Sequence, residues 1–173
     1  LSVSGGVRYT YEEKVGNYAS TIYGGPTVTD PLLIAKQLTV LRPQSYTASV
    51  SDGSASGRAN ASYAFTASVM GYVSYARASK SGGINMSGLP LNPSNLPALS
   101  TAVVKPEENA TVEVGLKTEL LDRHLLVNID AYATSVHNFQ TNVVDTGPGA
   151  LRGYLANIDE VRVQGVELDS NLV

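Results

Sequence analysis

The residues that could support enzymatic chemistry are few and form no recognisable catalytic pattern. The chain has no cysteine, which excludes disulfides, thiolate zinc ligands and cysteine nucleophiles. Its two histidines, His124 and His137, leave little material for a histidine-rich metal site. Serine, histidine and aspartate occur, but there is no nucleophile elbow, phosphate-binding loop or HExxH motif. We therefore expect no enzyme, no metal site and no cofactor.

The composition describes a folded chain with few charges. The chain has 173 residues, which suits one domain or part of one, and 43% of them are hydrophobic, so it is not disordered by composition. Charged residues make up 16%, where soluble domains usually carry about a quarter. A net charge of −3 and a pI of about 5.3 exclude a generally basic nucleic-acid binder. Abundant tyrosine, glycine and proline favour strands and loops over helices.

Apolar and polar residues alternate along several stretches with the period of a β-strand. In residues 1–12 the odd positions, such as Val3 and Tyr9, are mostly apolar, while the even positions, such as Arg8, are mostly polar. Residues 69–77 are strand-like but apolar on both faces. The alternation recurs in residues 58–66, 111–120, 125–135 and 161–171. A transmembrane strand needs about 9–11 such residues, so these stretches could cross a bilayer.

The last alternating stretch changes register. Its apolar residues shift from odd to even positions between Val163 and Val166, with Gly165 at the step. An extra residue with glycine at the step is what a β-bulge requires. We therefore expect a bulge at Gln164-Gly165.

The links between these strands alternate between short and long. Residues 66–68 and 121–124 form tight links, whereas residues 15–45, 80–106 and 138–153 are long and rich in glycine and proline. All long links then fall at one end of a meander, as in outer-membrane barrels. The pattern predicts an all-β fold, an antiparallel up-and-down transmembrane β-barrel segment. Aromatic residues fall near strand ends, where water–lipid boundaries would lie: Tyr9, Tyr11, Tyr63, Phe65, Phe139 and Tyr154.

A second interpretation is a soluble protein. A β-sandwich adhesin or carbohydrate-binding module would also show alternating strands. It predicts short strands, similar loops at both ends, and apolar rows buried against a second layer of the same chain. A monomer that stays folded in buffer without detergent would favour it.

Several stretches, taken together, resemble TonB-dependent outer-membrane receptors. An aromatic strand runs into a Lys-Ser-Gly-Gly loop over residues 72–85. Lys-Pro-Glu at 105–107 is followed by a Val-Glu-Val-Gly-Leu-Lys strand and a Leu-Leu-Asp turn within 112–122. The strings Gly-Val-Glu-Leu-Asp at 165–169 and Gly-Val-Arg-Tyr-Thr-Tyr-Glu at 6–12 also fit the family's strands. The strings occur in the family's order along most of the chain.

The resemblance implies a barrel of about 22 strands closed around an N-terminal plug. Residues 1–173 would supply about six of those strands, and the plug domain and barrel C-terminus would lie outside them. The sequence departs from the family at Ala78, where glycine is common, and at Thr111-Val112, where an aromatic is common before glutamate. Neither departure changes the assignment.

The resemblance also implies a function. The protein would take up a scarce ligand, most often a ferric siderophore or similar chelate, across the outer membrane of a Gram-negative bacterium. Its partners would be that ligand, outer-membrane lipid and the TonB system, which supplies energy through the absent N-terminal region. No nucleic acid is expected as a partner. The polar strand face would line the pore, its charges pairing across strands or hydrogen-bonding the plug.

The long links are where the resemblance places ligand contacts. The candidate ligand-binding residues are Tyr18, Tyr23, Arg77, Lys80, His137 and Phe139. Arg77 and Lys80, at the base of a loop, could attract an anionic ligand. His124 is expected in a solvated turn rather than in a site.

Overall fold

The computed structural model describes residues 1–25, 27–40, 42–145 and 152–172, and it is dominated by one antiparallel sheet. Six long strands pair in the order β1-β2-β3-β6-β7-β8, and two short strands, β4 and β5, pair with each other. The strands of the described residues are β1 (Ser2–Ala19), β2 (Ser45–Thr66), β3 (Val69–Lys80), β4 (Gly83–Ile84), β5 (Val103–Val104), β6 (Glu107–Leu120), β7 (Leu125–Asp145) and β8 (Arg152–Leu172). The predicted all-β up-and-down meander is confirmed.

The two tight turns lie where the sequence predicts them. The Thr66 hydroxyl accepts a hydrogen bond from the Ser68 N–H at 3.1 Å in the β2–β3 turn. In the β6–β7 turn, Leu121, Asp122 and Arg123 all have positive φ angles, of 52°, 52° and 72°. Both turns lie at the same end of the sheet, which we call the turn end; the opposite end is the loop end.

The strands extend further toward the loop end than the sequence predicts. Pairing of β1 with β2 continues to Ala19 and Ser45, inside the predicted 15–45 link. Pairing of β7 with β8 continues to Asp145 and Arg152, inside the predicted 138–153 link, and the link left between them lies outside the described residues. Glycine and proline in these stretches favour loops, but the backbone continues to form cross-strand hydrogen bonds there.

A helix in the first long link was not predicted. Helix α1 (Pro31–Val40) starts with proline at its first position, where the missing N–H costs no hydrogen bond. The Asp30 carboxylate accepts the Leu32 N–H at 2.8 Å and so caps the helix. Among the described residues, no helix is long and apolar enough to cross a membrane.

The predicted bulge at Gln164-Gly165 is wrong. β8 pairs with β7 without interruption there, Gln164 opposite Ala133 and Gly165 opposite Tyr132. Gly165 instead makes room for an aromatic ring, because a Cβ on it would lie 2.8 Å from the Tyr132 hydroxyl oxygen. Val161 and Val163 therefore face the opposite side of the sheet from Val166 and Leu168. The register shift that does occur lies in β2, between Ala64 and Thr66.

One face of the sheet, the outward face, carries a continuous apolar belt that no other described residue covers. Val7 is 96% exposed, and Val166 and Leu168 are each 70% exposed. The belt consists of Leu1, Val3, Val7, Tyr9, Tyr11, Ala59, Ala61, Tyr63, Phe65, Val73, Tyr75, Val112, Val114, Leu116, Ile129, Ala131, Ala133, Val166 and Leu168. The described residues place no second layer against it, so the structure gives no support to the β-sandwich interpretation.

The loop-end edge of the belt runs diagonally across the strands. Counted from the turn end toward the loop end, the first polar residue on the outward face after the belt is Glu13 on β1 and Gln164 on β8. Gln164 lies in the same cross-strand row as Gly5 of β1, so the belt ends earlier on β8 than on β1. Glu13 lies roughly 26 Å beyond Gly5 along the strand, and the strands from β1 to β8 span roughly 24 Å. The belt edge therefore crosses the rows at about 45°. Transmembrane strands tilt by about 35–45°, so this slope is the one a flat membrane surface would produce.

Candidate functional site

Residues 81–106, which link β3 to β6, fold back over the inner face of the sheet at the loop end. The inner face is the one opposite the apolar belt. We call these residues the inward segment; it contains β4, β5 and a 3-10 turn at Leu99–Thr101. Gly83 pairs with Val104 and Ile84 with Val103, so the segment closes on itself as a small sheet. The long link is thus an ordered body rather than an open loop.

The inward segment is fixed to β1 and β2 by buried contacts. The Tyr46 hydroxyl donates to the Asn85 carbonyl at 2.5 Å, and Gln44 exchanges two side-chain hydrogen bonds of 2.8 Å with the Leu89 backbone. Leu89 and Ala102 pack with Tyr46 in a small core, and Tyr18 stacks on Tyr46 with ring centroids 5.0 Å apart. Tyr46 lies beyond the apolar belt, and burial raises the pKa of its hydroxyl.

The same segment is fixed to β8 by two asparagines. The Asn85 side chain donates to the Leu155 carbonyl and accepts the Leu155 N–H, both at 2.9 Å, and also donates to the Thr101 carbonyl at 2.7 Å. Asn157 on β8 accepts the Lys105 N–H at 2.8 Å and donates to the Asn138 carbonyl at 2.7 Å. The segment therefore connects the two outermost long strands of the sheet across its inner face.

Further contacts hold the two ends of the segment. Buried Gln140 on β7 donates from its side chain to the Ser81 carbonyl at 2.9 Å and to the Lys105 carbonyl at 3.0 Å. The buried Glu107 carboxylate accepts the Gln140 N–H at 2.9 Å. From β1, Lys14 donates to the Ser81 hydroxyl and to the Gly82 carbonyl. Both points where the segment leaves the sheet are thus held by hydrogen bonds.

Nearer the turn end the inner face is polar, and its charges are unevenly distributed. Arg8 and Arg58 lie on β1 and β2. Carboxylates dominate β6 to β8: Glu113, Glu119, Asp130, Glu167 and Asp169. The Tyr72 hydroxyl donates to Glu113 at 2.5 Å, and the Lys117 ammonium lies 5.5 Å from the centre of the Tyr72 ring. The inner face is thus mainly acidic on β6 to β8, whereas on β1 and β2 it carries charges of both signs, since Glu12 and Asp52 lie near Arg8.

The structure separates the predicted ligand-binding residues into two groups. Tyr18 and Lys80 lie on the inner face; Lys80 borders a polar cavity of about 180 Å³ with Arg8, Glu12 and Asp52. Arg77, His137 and Phe139 lie within β3 and β7 on the outward face, not in loops. Tyr23 is 89% exposed in the link between β1 and α1. Their role in ligand binding stays a prediction.

The residues that organise the loop end were not predicted. Gln44, Tyr46, Asn85, Gln140 and Asn157 hold the inward segment. Asn85 is the last residue of the 72–85 stretch on which the family resemblance partly rests. That position is the one sequence signal that could have indicated a structural role for Asn85. Within the described ranges, no group of His, Asp or Glu side chains is placed to hold a metal ion.

Comparison with solved structures shows the same fold. The chain is similar to the Serratia marcescens hemophore receptor HasR, as a double mutant in complex with its hemophore HasA and heme: 16% identity, 97% of this chain and 28% of that one, TM-score 0.61. It is also similar to the copper transporter OprC, with 18% identity over 70% of this chain and 18% of that one, and a TM-score of 0.50. The chain thus spans under a third of either structure. A search of curated proteins found no match.

A family model settles the classification. The model described as TonB dependent receptor-like, beta-barrel matches residues 1–172, nearly the whole chain. Members of this family are outer-membrane transporters of Gram-negative bacteria. The predicted family, drawn from short strings on single strands and turns, is confirmed. The chain belongs to the TonB-dependent receptor β-barrel family.

Proposed function

We propose that this chain is one sector of the barrel wall of an outer-membrane receptor that takes up a scarce ligand with energy from TonB. The observation that carries the proposal is the exposed apolar belt with its diagonal edge. An exposed belt of this size is costly in water, and a 45° edge has no function in a soluble sheet. In a membrane, the belt faces lipid and the polar inner face lines the pore.

We infer that further strands and a plug complete the receptor. In the described residues, β1 pairs with β2 and β8 pairs with β7, which leaves one edge of each strand without a partner. Unpaired backbone groups in hydrocarbon cost several kcal/mol each, so a membrane-spanning sheet must close. The polar, charged inner face suits hydrogen bonds and ion pairs with a plug. TonB would act through the N-terminal region of the complete protein.

We propose a ferric siderophore or similar metal chelate as the ligand. HasR and OprC, which share the fold, are a heme-associated receptor and a copper transporter by name, so both handle metal-containing cargo. The exposed Tyr23 and the inner-face residues Tyr18 and Lys80 lie at the loop end, where an external ligand would arrive. We propose no catalytic step for this chain.

The test is uptake by the bacterium that encodes the chain, grown under iron limitation. We expect deletion of the receptor gene to abolish accumulation of one radiolabelled ferric siderophore, and deletion of TonB to have the same effect. Plasmid-borne wild-type receptor should restore uptake. Loss of heme or copper uptake instead would overturn the siderophore assignment, and uptake that survives loss of TonB would overturn the energy source.

A further inference from the structure

Three cationic side chains on the inner face of β1, β2 and β3 have no hydrogen-bond or ion-pair partner among the described residues. They are Arg8, Arg58 and Lys80, and we call them the cationic patch. Arg8 lies opposite Ser56 and Arg58 opposite Gly6, so the two arginines are diagonal neighbours about 7–8 Å apart. Four cations elsewhere each pair with a carboxylate: Lys14, Arg77, Arg123 and Arg162.

Small and hydroxyl-bearing neighbours leave space around the cationic patch. Arg8 and Lys80 border the cavity of about 180 Å³, whose remaining wall is rich in hydroxyl groups: Thr10, Ser54, Ser56, Ser79 and Ser81. Arg58 has only Gly6 and Ala76 beside it in its row and borders a second cavity, of about 450 Å³. The wall therefore offers guanidinium, ammonium and hydroxyl donors around open space.

The two carboxylates near the cationic patch do not neutralise it. Glu12 pairs with Lys14 at 3.1 Å and accepts a hydrogen bond from the Ser81 hydroxyl. Asp52 lies opposite Glu12, two inner rows and roughly 14 Å beyond Arg8 toward the loop end. From the Arg8 row to the turn end, the inner positions of β1, β2 and β3, all of them described, hold no Asp or Glu. The patch thus keeps an excess of positive charge.

Unpaired cations in the wall of a closed pore favour an anion as their partner. Closing the barrel removes part of the water around these side chains, and a charge taken out of water is costly unless an opposite charge replaces that water. A guanidinium holds a carboxylate through two parallel hydrogen bonds, and an ammonium adds up to three donors. The open space beside Arg8 and Lys80 admits a small molecule with several anionic oxygens.

We propose that the cationic patch binds carboxylate groups of the transported ligand, which is therefore an anionic, carboxylate-bearing metal chelate. This inference rests on the proposed function, which makes the inner face the wall of the pore. Arg8 and Lys80 hold the chelate at the loop-end side of the patch. Arg58, one inner row closer to the turn end, provides the next cation along the path.

The test measures binding of two probes to the complete receptor in phosphatidylcholine nanodiscs by equilibrium dialysis. The probes are radiolabelled citrate and its trimethyl ester, which has the same skeleton without the charges. We expect wild type to bind citrate but not the ester. Arg8→Gln and Lys80→Gln should each bind citrate about tenfold more weakly, as for a lost charge-assisted hydrogen bond, and Arg8→Lys should be intermediate. The matched control is Arg77→Gln, on the outward face of the same strand as Lys80, which should behave as wild type.

Three results would overturn the proposal. One is that wild type fails to bind citrate, as when a carboxylate of the plug already occupies the patch. The others are equal binding of the ester, and an equal loss of citrate binding in Arg77→Gln. Gel mobility before and after heating verifies that each variant is a folded barrel. Because dialysis needs neither TonB nor uptake, citrate binding without TonB-dependent uptake would overturn only the proposed function, and uptake without citrate binding would overturn only this inference.

Discussion

The turn end and the loop end of the sheet are built on different principles. At the turn end, the strands present apolar residues outward, and all but β3 present mostly polar residues inward, while the tight turns join neighbours along the chain. At the loop end, the strands are fixed by contacts between residues far apart in sequence, such as Asn85 with Leu155 and Gln44 with Leu89. The structure of the turn end follows from which face is apolar and which is polar, whereas the structure of the loop end depends on contacts of particular side chains.

The difference explains what could be predicted from the sequence. Period-two alternation identified the strand cores and both tight turns, because every turn-end strand must meet lipid on one side. The outward position of Arg77 could not be predicted because residues 69–77 are apolar on both faces. The extension of β1 and the ordered inward segment depend on contacts that leave no local pattern. Gly16 shows why: it reads as a strand breaker, yet a Cβ there would lie 3.0 Å from the Met86 sulfur. Glycine at position 16 therefore leaves room for the inward segment, which packs against it.

The largest effect is expected from a charged residue placed in the apolar belt, which tests the assignment of the two faces. Val73→Arg puts a cation on the lipid side of β3, and we expect it to destabilise the membrane-inserted receptor by about 2–4 kcal/mol. Ser74→Arg, the next residue, faces the polar inner side beside a cavity, and we expect less than about 1 kcal/mol. Urea titration of folding into lipid vesicles measures both. Equal costs at the two positions would contradict the assignment of the faces.

A somewhat smaller effect is expected from loosening the loop end. Asn85→Ala removes two hydrogen bonds between the inward segment and Leu155 on β8, and a third within the segment to Thr101, at a cost of about 2–3 kcal/mol. Asn92→Ala removes two bonds within its own turn, to the N–H groups of Ser94 and Leu96, and should cost about 1 kcal/mol or less. Hydrogen exchange in the inward segment should rise sharply in the first variant, while the turn-end strands stay protected. Faster exchange throughout the sheet would contradict the independence of the two ends.

Two glycine substitutions within the inward segment compare a position with a restricted backbone conformation and a position with open space around it. Gly88 has a φ of +89°, and a Cβ on it would lie 2.9 Å from an Arg152 nitrogen. We expect Gly88→Ala to cost about 1–2 kcal/mol of local stability. Gly83→Ala, in the same segment with open space around it, should stay within about 0.5 kcal/mol. Limited proteolysis of the folded receptor distinguishes them, and equal cleavage rates would argue against the tight packing at Gly88.

The smallest effect is expected at the turn end. Arg123 is 79% exposed and pairs with Glu119 at 3.1 Å. Because an exposed ion pair contributes little, Arg123→Gln should change the free energy of unfolding by about 0.5 kcal/mol or less. The same urea titration measures it. A loss above about 1 kcal/mol would mean that this turn, like the loop end, depends on individual side chains.

The central claim is that the belt faces lipid, and spin labels placed one at a time along β6 test it most directly. In the complete receptor in lipid vesicles, power-saturation EPR compares collisions with oxygen, which concentrates in hydrocarbon, and with a water-soluble nickel chelate. We predict that labels at Val112, Val114 and Leu116 collide with oxygen, while labels at the inner-face positions Thr111, Glu113 and Lys117 do not. Oxygen accessibility without this alternation, or with the two sets reversed, would contradict the account.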